Sequence, residues 1–217
     1  MCFSATASFV AGSVLTAAGL IAVSRNGRNN QLAFASMPLL FGVQQLSEGF
    51  LWLALTREEY AHWIDYPMFI FIVIAQTFWP AWVPWSIRAL EVNVVRRKWM
   101  LPLVWIGVFV SVRNLISLLF LSEVTASVNG IHILYSFSDP INLPIISAVL
   151  YILAIVGPPL ISSARHMKLL GVFIALALAV SAVYFKEVVI SVWCYFAAAI
   201  SAIVFLVLKY MPNKEKA

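Results

Sequence analysis

Polar and charged side chains lie within the long apolar stretches of this sequence, where they are positioned to bind a ligand. The clearest are Glu48 and Arg113. Gln44 and Gln45 precede Glu48 by four and three residues, so one face of a helix would present all three side chains. A lone carboxylate in apolar surroundings takes up a proton, whereas a guanidinium can keep it ionised through paired hydrogen bonds. These residue types predict a site for a small polar solute or ion. Arg113 would attract an anionic group, and Glu48 would act as counter-charge or proton acceptor.

The composition excludes most other classes of protein. Of the 217 residues, 63% are hydrophobic and 11% are charged, and the mean hydropathy is +0.95. A soluble domain is roughly 45–50% apolar and about 25% charged. A soluble enzyme, a nucleic-acid-binding protein and a disordered regulator are therefore excluded, and the lipid bilayer is the expected surrounding.

Seven apolar segments are each long enough to cross a bilayer as a helix, which takes about 20 residues. Helices are required because lipid offers no hydrogen-bond partners to an open strand. The segments are Phe3–Val23, Gln31–Leu55, Tyr66–Arg88, Trp99–Ser122, Pro140–Ser163, Leu169–Phe185 and Val188–Leu208. The predicted fold is an all-α membrane protein, a seven-transmembrane helix bundle that forms a single domain over residues 1–217.

Basic residues predict the orientation of these segments. They follow the first, third, fifth and seventh segments, as Arg25, Arg28, Arg88, Arg96, Arg97, Lys98, Arg165, Lys168, Lys209, Lys214 and Lys216. The connections on the other side contain only Arg57 and Lys186. Because basic connections stay in the cytoplasm, the N-terminus is expected outside and the C-terminus in the cytoplasm.

The polar residues within the segments share one level of the predicted bilayer. At ~1.5 Å of rise per residue, Glu48 lies about 10 Å and Arg113 about 14 Å below the outer boundary. Gln44 and Gln76 fall near 15–16 Å by the same rise, and Asn114 is adjacent to Arg113. The predicted ligand-binding residues are therefore Glu48, Arg113, Gln44, Gln45, Gln76 and Asn114. An alternative interpretation is that these residues only hold the helices together.

Two local patterns add detail to the bundle. Asn129-Gly130, flanked by residues that favour strands, predicts a short external β-hairpin between the fourth and fifth spans. Pro80 and Pro84 predict a kink in the third span.

A metal-dependent membrane hydrolase is an alternative from a different class. His62, Asp65 and His132 all fall in connections on the predicted outer side, and two histidines with a carboxylate can hold zinc with an open position. Nothing in their spacing requires them to meet. The seven segments lack the paired intramembrane histidines that a haem protein needs, so no cofactor is expected.

The two cysteines, Cys2 and Cys194, both fall toward the predicted outer side. Disulfides are permitted there, but the sequence leaves open whether these two residues pair.

The opening Met1-Cys2-Phe3-Ser4-Ala5, together with Gln44-Gln45-Leu46-Ser47-Glu48-Gly49, resembles an uncharacterised family of small bacterial membrane proteins with several spans. The resemblance implies a multi-helix bundle in the membrane and brings no known activity, substrate or catalytic residue.

The function expected from the sequence is binding of a small polar solute or ion in an outward-facing polar cavity, for transport. The expected location is the bacterial inner membrane, as a multi-pass protein with no nucleic-acid partner, and a homo-oligomer is compatible with the sequence. The alternatives are the hydrolase and a structural or sensor subunit without catalysis. Whether the protein is an enzyme stays open, with binding favoured over catalysis.

Overall fold

The computed structural model describes residues 4–25, 29–121, 123–138 and 144–210, and most of them are helical. The α-helices in chain order are α1 (Ala5–Arg25), α2 (Asn29–Ala35), α3 (Met37–Thr56), α4 (Asp65–Ile72), α5 (Trp79–Leu90), α6 (Val94–Ile116), α7 (Pro144–Ile161), α8 (Met167–Tyr184), α9 (Val189–Ile200) and α10 (Ala202–Lys209). A 3-10 helix at Glu58–Trp63 precedes α4. Turns of π-helix follow α4 at Val73–Phe78 and α6 at Ser117–Leu121.

Several of these helices are suited to a bilayer. Four helical segments of the described residues are long and apolar enough to cross a membrane: Ala5–Arg25, Asp65–Leu90, Val94–Phe120 and Met167–Tyr184. A shorter apolar helix covers Ile145–Ile161. The second predicted span is divided into α2 and α3, and the seventh into α9 and α10. The full set of seven spans therefore remains a prediction from the sequence.

Helix α1 packs closely along α3 through glycines on both helices. A Cβ atom added to Gly19 would overlap the backbone of Leu39, and one added to Gly42 would overlap Thr16. In apolar surroundings, such small residues let two helix backbones approach and gain van der Waals contact. This packing holds the helix that contains Glu48 in a fixed rotation against α1.

A small two-stranded antiparallel sheet joins α6 to α7. Strands β1 (Glu123–Asn129) and β2 (His132–Ser138) pair so that Asn129 lies opposite His132. Gly130 in the turn has a φ of +60°, which glycine adopts without steric cost. Tyr135 of β2 is buried and stacks on Phe71 of α4 at 4.9 Å between ring centroids, so the sheet packs against the helices.

The larger of two hydrophobic clusters among the described residues combines side chains of α1, α2, α3, α5, α6, α7, α8 and α10. Its most buried members are large apolar side chains, including Ile87, Met100, Met167 and Val207. A smaller cluster surrounds Phe71 near the sheet. The polar residues described below lie beside the larger cluster.

Candidate functional site

A buried carboxylate is the centre of the candidate site. Glu48 on α3 has no exposed surface. Its Oε1 accepts a hydrogen bond of 2.7 Å from the Ser191 hydroxyl on α9, and its Oε2 accepts one of 3.4 Å from Gln45 Nε2. Gln45 and Ser191 are also fully buried. Residues from two helices far apart in the sequence thus surround one carboxylate.

Gln44 extends this group toward α5. Its Oε1 accepts a 2.8 Å hydrogen bond from Trp79 Nε1, and Trp79 stacks on Phe41 with 4.1 Å between ring centroids. Gln45 Oε1 has no hydrogen-bond partner among the described residues, and Gln44 Nε2 has none of normal geometry, although the Gln44 amide contacts the Cys194 thiol. Buried polar atoms are nearly always hydrogen-bonded, so two such atoms in one group require an explanation. We refer to Gln44, Gln45, Glu48, Trp79 and Ser191 as the Glu48 cluster.

The other predicted ligand-binding residues form a second group. Arg113 and Asn114 on α6 are both half-buried, and Arg113 Nη1 donates a 3.2 Å hydrogen bond to Asn114 Oδ1. Asn114 Nδ2 donates to the main-chain carbonyl of Gln76 at 2.9 Å. These hydrogen bonds join Arg113 and Asn114 on α6 to the main chain of Gln76 in the turn before α5.

The π-helical turn between α4 and α5 lies next to both groups. It contains Gln76, and it leads directly into Trp79 of the Glu48 cluster. The buried Tyr151 hydroxyl of α7 donates a 2.5 Å hydrogen bond to the carbonyl of Ala75 in the same turn. Departures from α-helical geometry leave carbonyl groups that side chains must satisfy, and they occur often at functional sites.

A cavity of about 50 Å³ adjoins the Glu48 cluster. Trp79 and Cys194 belong to its wall and connect it to the cluster, since Cys194 is one helical turn beyond Ser191. The remaining wall is mainly aromatic and aliphatic, formed by Met37, Phe41, Val83, Ile87, Tyr151, Ile155, Leu170, Ile174, Trp193, Ser201 and Val204. A space of this size holds a few waters or one very small solute.

Trp193 Nε1 adds a second donor at this cavity. The atom is buried and has no partner within the described ranges. Together with Gln44 Nε2 and Gln45 Oε1 it gives the region two donors and one acceptor that lack described partners of normal geometry. An occupant of the cavity with acceptor capacity would satisfy Trp193 Nε1, whose side chain lines it.

Several residues of the site could not be selected from the sequence. Ser191, Cys194 and Tyr151 lie in apolar segments and have residue types that are common in membrane helices. Trp79 belongs to the aromatic-rich stretch Phe78-Trp79-Pro80-Ala81-Trp82, in which no tryptophan is distinguished from the others by its spacing. Their roles follow from contacts between distant helices, which no local pattern encodes.

The candidate metal ligands show no clustering. His62 and Asp65 are exposed, while His132 is half-buried with its ring 5.4 Å from that of Phe185. Within the part of the chain that the structure describes, no group of three or more His, Cys, Asp or Glu side chains could hold a metal ion. Cys194 is buried, and Cys2 lies outside the described residues.

Comparison with known proteins identifies a family and no relative of established activity. No curated protein and no solved structure matches the chain. The model of DUF6629, a family of unknown function, matches residues 1–217, and the chain therefore belongs to that family.

Proposed function

We propose that the protein is an integral membrane protein that binds a small polar solute or ion at the Glu48 cluster, as a step in transport. The observation that carries the proposal is a fully buried carboxylate held by polar side chains from α3 and α9 beside a cavity. Ionisable residues within membrane helices are costly and usually mark the path of an ion or substrate.

Packing alone does not account for the cluster. Apolar side chains of similar volume would join α3, α5 and α9 without the cost of removing a carboxyl and two amides from water. The cluster also leaves Gln45 Oε1 without a partner, and Gln44 Nε2 without one of normal geometry, among the described residues. A bound polar ligand or water would supply what these atoms lack.

The closed surroundings of Glu48 fit an occluded state. Gln44, Gln45 and Glu48 have no exposed surface, whereas Arg113 and Asn114 are partly exposed. We place Arg113 and Asn114 on the route by which a solute reaches the Glu48 cluster. The charge of Arg113 would attract an anionic group of the solute. The predicted outward opening of the cavity requires the helices to move apart.

The interrupted helices support such movement. The last helical segment is divided at Ser201, which lines the cavity, and the segment from α4 to α5 contains the π-helical turn. Transporters commonly place their sites where membrane helices are discontinuous. The proposal includes seven spans, an external N-terminus, an external hairpin, and location in the bacterial inner membrane.

Ligand binding by purified protein tests the proposal. Thermal unfolding in detergent is measured with a panel of monovalent cations, small carboxylates and zwitterions, since a ligand at 100 times its Kd stabilises the folded state by about 2.7 kcal/mol. We expect at least one solute to stabilise the wild type. Glu48→Gln and Arg113→Ala should abolish that effect and still fold.

The matched control is Glu123→Gln, which neutralises an exposed carboxylate in β1. This variant should respond to the solute as the wild type does. Stabilisation of wild-type size in both Glu48→Gln and Arg113→Ala would contradict the proposal and favour a packing role for these residues.

A further inference from the structure

A second buried carboxylate, Glu91, lies at the end of the bundle where α5 stops. Only 4% of its surface is exposed. Its Oε2 accepts hydrogen bonds from the Ser162 hydroxyl at 3.0 Å and from the Ser163 backbone N–H at 2.7 Å. Its Oε1 accepts from the Ser163 hydroxyl and, at 2.9 Å, from the backbone N–H of Asn93. One side chain thus joins the α5–α6 connection to the residues that follow α7.

A positively charged residue, Arg96, also joins α6 to the end of α7. Arg96 of α6 donates from Nη1 to the carbonyls of Ile161 and Ser162, each at 3.1 Å. These carbonyls are at the C-terminus of α7, where the helix itself provides no donors and where a cation interacts favourably with the helix dipole. We call Glu91, Arg96, Ser162 and Ser163 the clasp.

The lowered pKa of Glu91 favours the ionised carboxylate in the clasp. Burial raises the pKa, but hydrogen bonds from Ser163, Asn93 and Ser162 lower it, and the net pKa is below the ordinary value. A charged acceptor makes stronger hydrogen bonds than a neutral one. The clasp is therefore a strong connection at neutral pH.

The clasp lies directly beyond the cavity that adjoins the Glu48 cluster. Ile87 lines the cavity, and its carbonyl accepts a 3.1 Å hydrogen bond from the backbone N–H of Glu91. On α7, Ile155 lines the cavity, and Ser162 follows it by about two helical turns. The cavity and the clasp therefore lie between the same two helices, one above the other.

Prolines lie within α5 and α7, next to the cavity-lining residues and before the clasp. Pro84 lies within α5 after Val83, and Pro158 and Pro159 lie within α7 after Ile155. Each proline removes a helical hydrogen bond and weakens the helix at that point. The end of α7 can therefore bend relative to Ile155, and the end of α5 can bend together with Ile87 of the cavity wall.

We propose that the clasp is a gate that keeps the cavity closed on the side opposite to the Glu48 cluster. When the clasp is formed, the end of α7 is tied to the α5–α6 connection and the cavity has no opening there. When it separates, α5 and α7 bend at their prolines and expose the cavity on the predicted cytoplasmic side. The direction of solute movement that this implies rests on the proposed function, whereas the closure itself does not.

Cys194 provides a native reporter for this gate because its side chain lines the cavity. In a Cys2→Ser background it is the remaining thiol of the chain. A membrane-impermeant methanethiosulfonate reagent is added to inside-out vesicles that contain full-length protein, and the initial rate of modification is measured. Loss of several hydrogen bonds to a carboxylate should raise the rate in Glu91→Ala roughly tenfold or more.

Two further variants keep the result interpretable. Ser163→Ala removes one side-chain donor from a partly solvated position, so it should fold even where Glu91→Ala does not, and it should raise the rate severalfold. Glu123→Ala, at an exposed carboxylate, should leave the rate unchanged. If Cys194 is modified at the wild-type rate in both Glu91→Ala and Ser163→Ala, the gate is overturned. This holds even where the two variants lower the thermal stability.

The labelling experiment needs no solute, so its result is separate from that of the ligand screen. A failed screen with faster Cys194 labelling in the clasp variants would remove the proposed function and keep the gate. A solute effect that depends on Glu48, with unchanged labelling, would keep the function and remove the gate.

Discussion

The Ser191 hydroxyl donates a 2.7 Å hydrogen bond to Glu48 Oε1, across a separation of 143 positions in the chain. The bond joins α9 to α3 inside the bundle, and both residues are fully buried. A carboxylate in this position is expensive to bury, so each donor to it contributes to stability and to the geometry of the site.

Ser191→Ala should therefore destabilise the protein by about 1–3 kcal/mol, the range for a hydrogen bond to a buried or charged acceptor. Thermal unfolding in detergent measures the loss. Ser181→Ala is a matched control, since Ser181 is equally buried but its hydroxyl bonds to the carbonyl of Ala177 within its own helix. Equal losses in the two variants would mean that the contact with Glu48 has no special weight.

Trp79→Phe removes the donor to Gln44 Oε1 and retains an aromatic ring next to Phe41. Because a buried acceptor then loses its partner, we expect a loss of about 1–3 kcal/mol in the free energy of unfolding. Trp105→Phe, at a residue that is 65% exposed on α6, should cost less in the same assay. A smaller loss at position 79 than at 105 would contradict the assigned hydrogen bond.

Gly19→Ala tests the close packing of α1 on α3. The new methyl group would overlap the backbone of Leu39, and a backbone cannot move aside as a flexible side chain can. The helices must separate, at an expected cost of about 1–3 kcal/mol. Ala17→Val enlarges an exposed residue on the same helix and should be nearly neutral. Unchanged stability of Gly19→Ala would show that α1 is not held at this distance.

Glu91 predicts a dependence of stability on pH. Its pKa in the folded protein is below the ordinary value of 4.5, so folding favours the charged form. The stabilisation is present above the pKa of the unfolded chain and is lost as the pH falls through the lower folded pKa. The difference in thermal stability between wild type and Glu91→Gln should be largest at pH 7 and decrease below about pH 4.5. A difference that grows in acid would contradict this sign.

The sequence was informative where a local pattern decides the structure. Asn129-Gly130 predicted the paired strands, and Gly130 has the positive φ that favours glycine in their turn. The apolar runs predicted helices. The helical spacing of Gln44, Gln45 and Glu48 placed them on one buried face. Their partners on other helices could not be predicted, since Ser191 and Tyr151 are ordinary members of apolar segments.

The breaks in the helices could not be predicted either. The π-helical turn at Val73–Phe78 has no distinctive residue pattern, and the division at Ser201 occurs in a uniformly apolar stretch. Both depend on packing against neighbouring helices. The clasp could not be predicted for the same reason. Glu91 lies in a connection between helices, and its contacts with Ser162 and Ser163 depend on how distant helices pack.

If the Glu48 cluster binds a charged solute or ion that crosses the membrane, as we propose, charge moves when that solute is applied to proteoliposomes. Currents are recorded on a solid-supported membrane as each member of the solute panel is applied. We expect a transient current for wild type and Glu123→Gln, and no current for a folded Glu48→Gln. A current of equal size in Glu48→Gln would contradict the proposal.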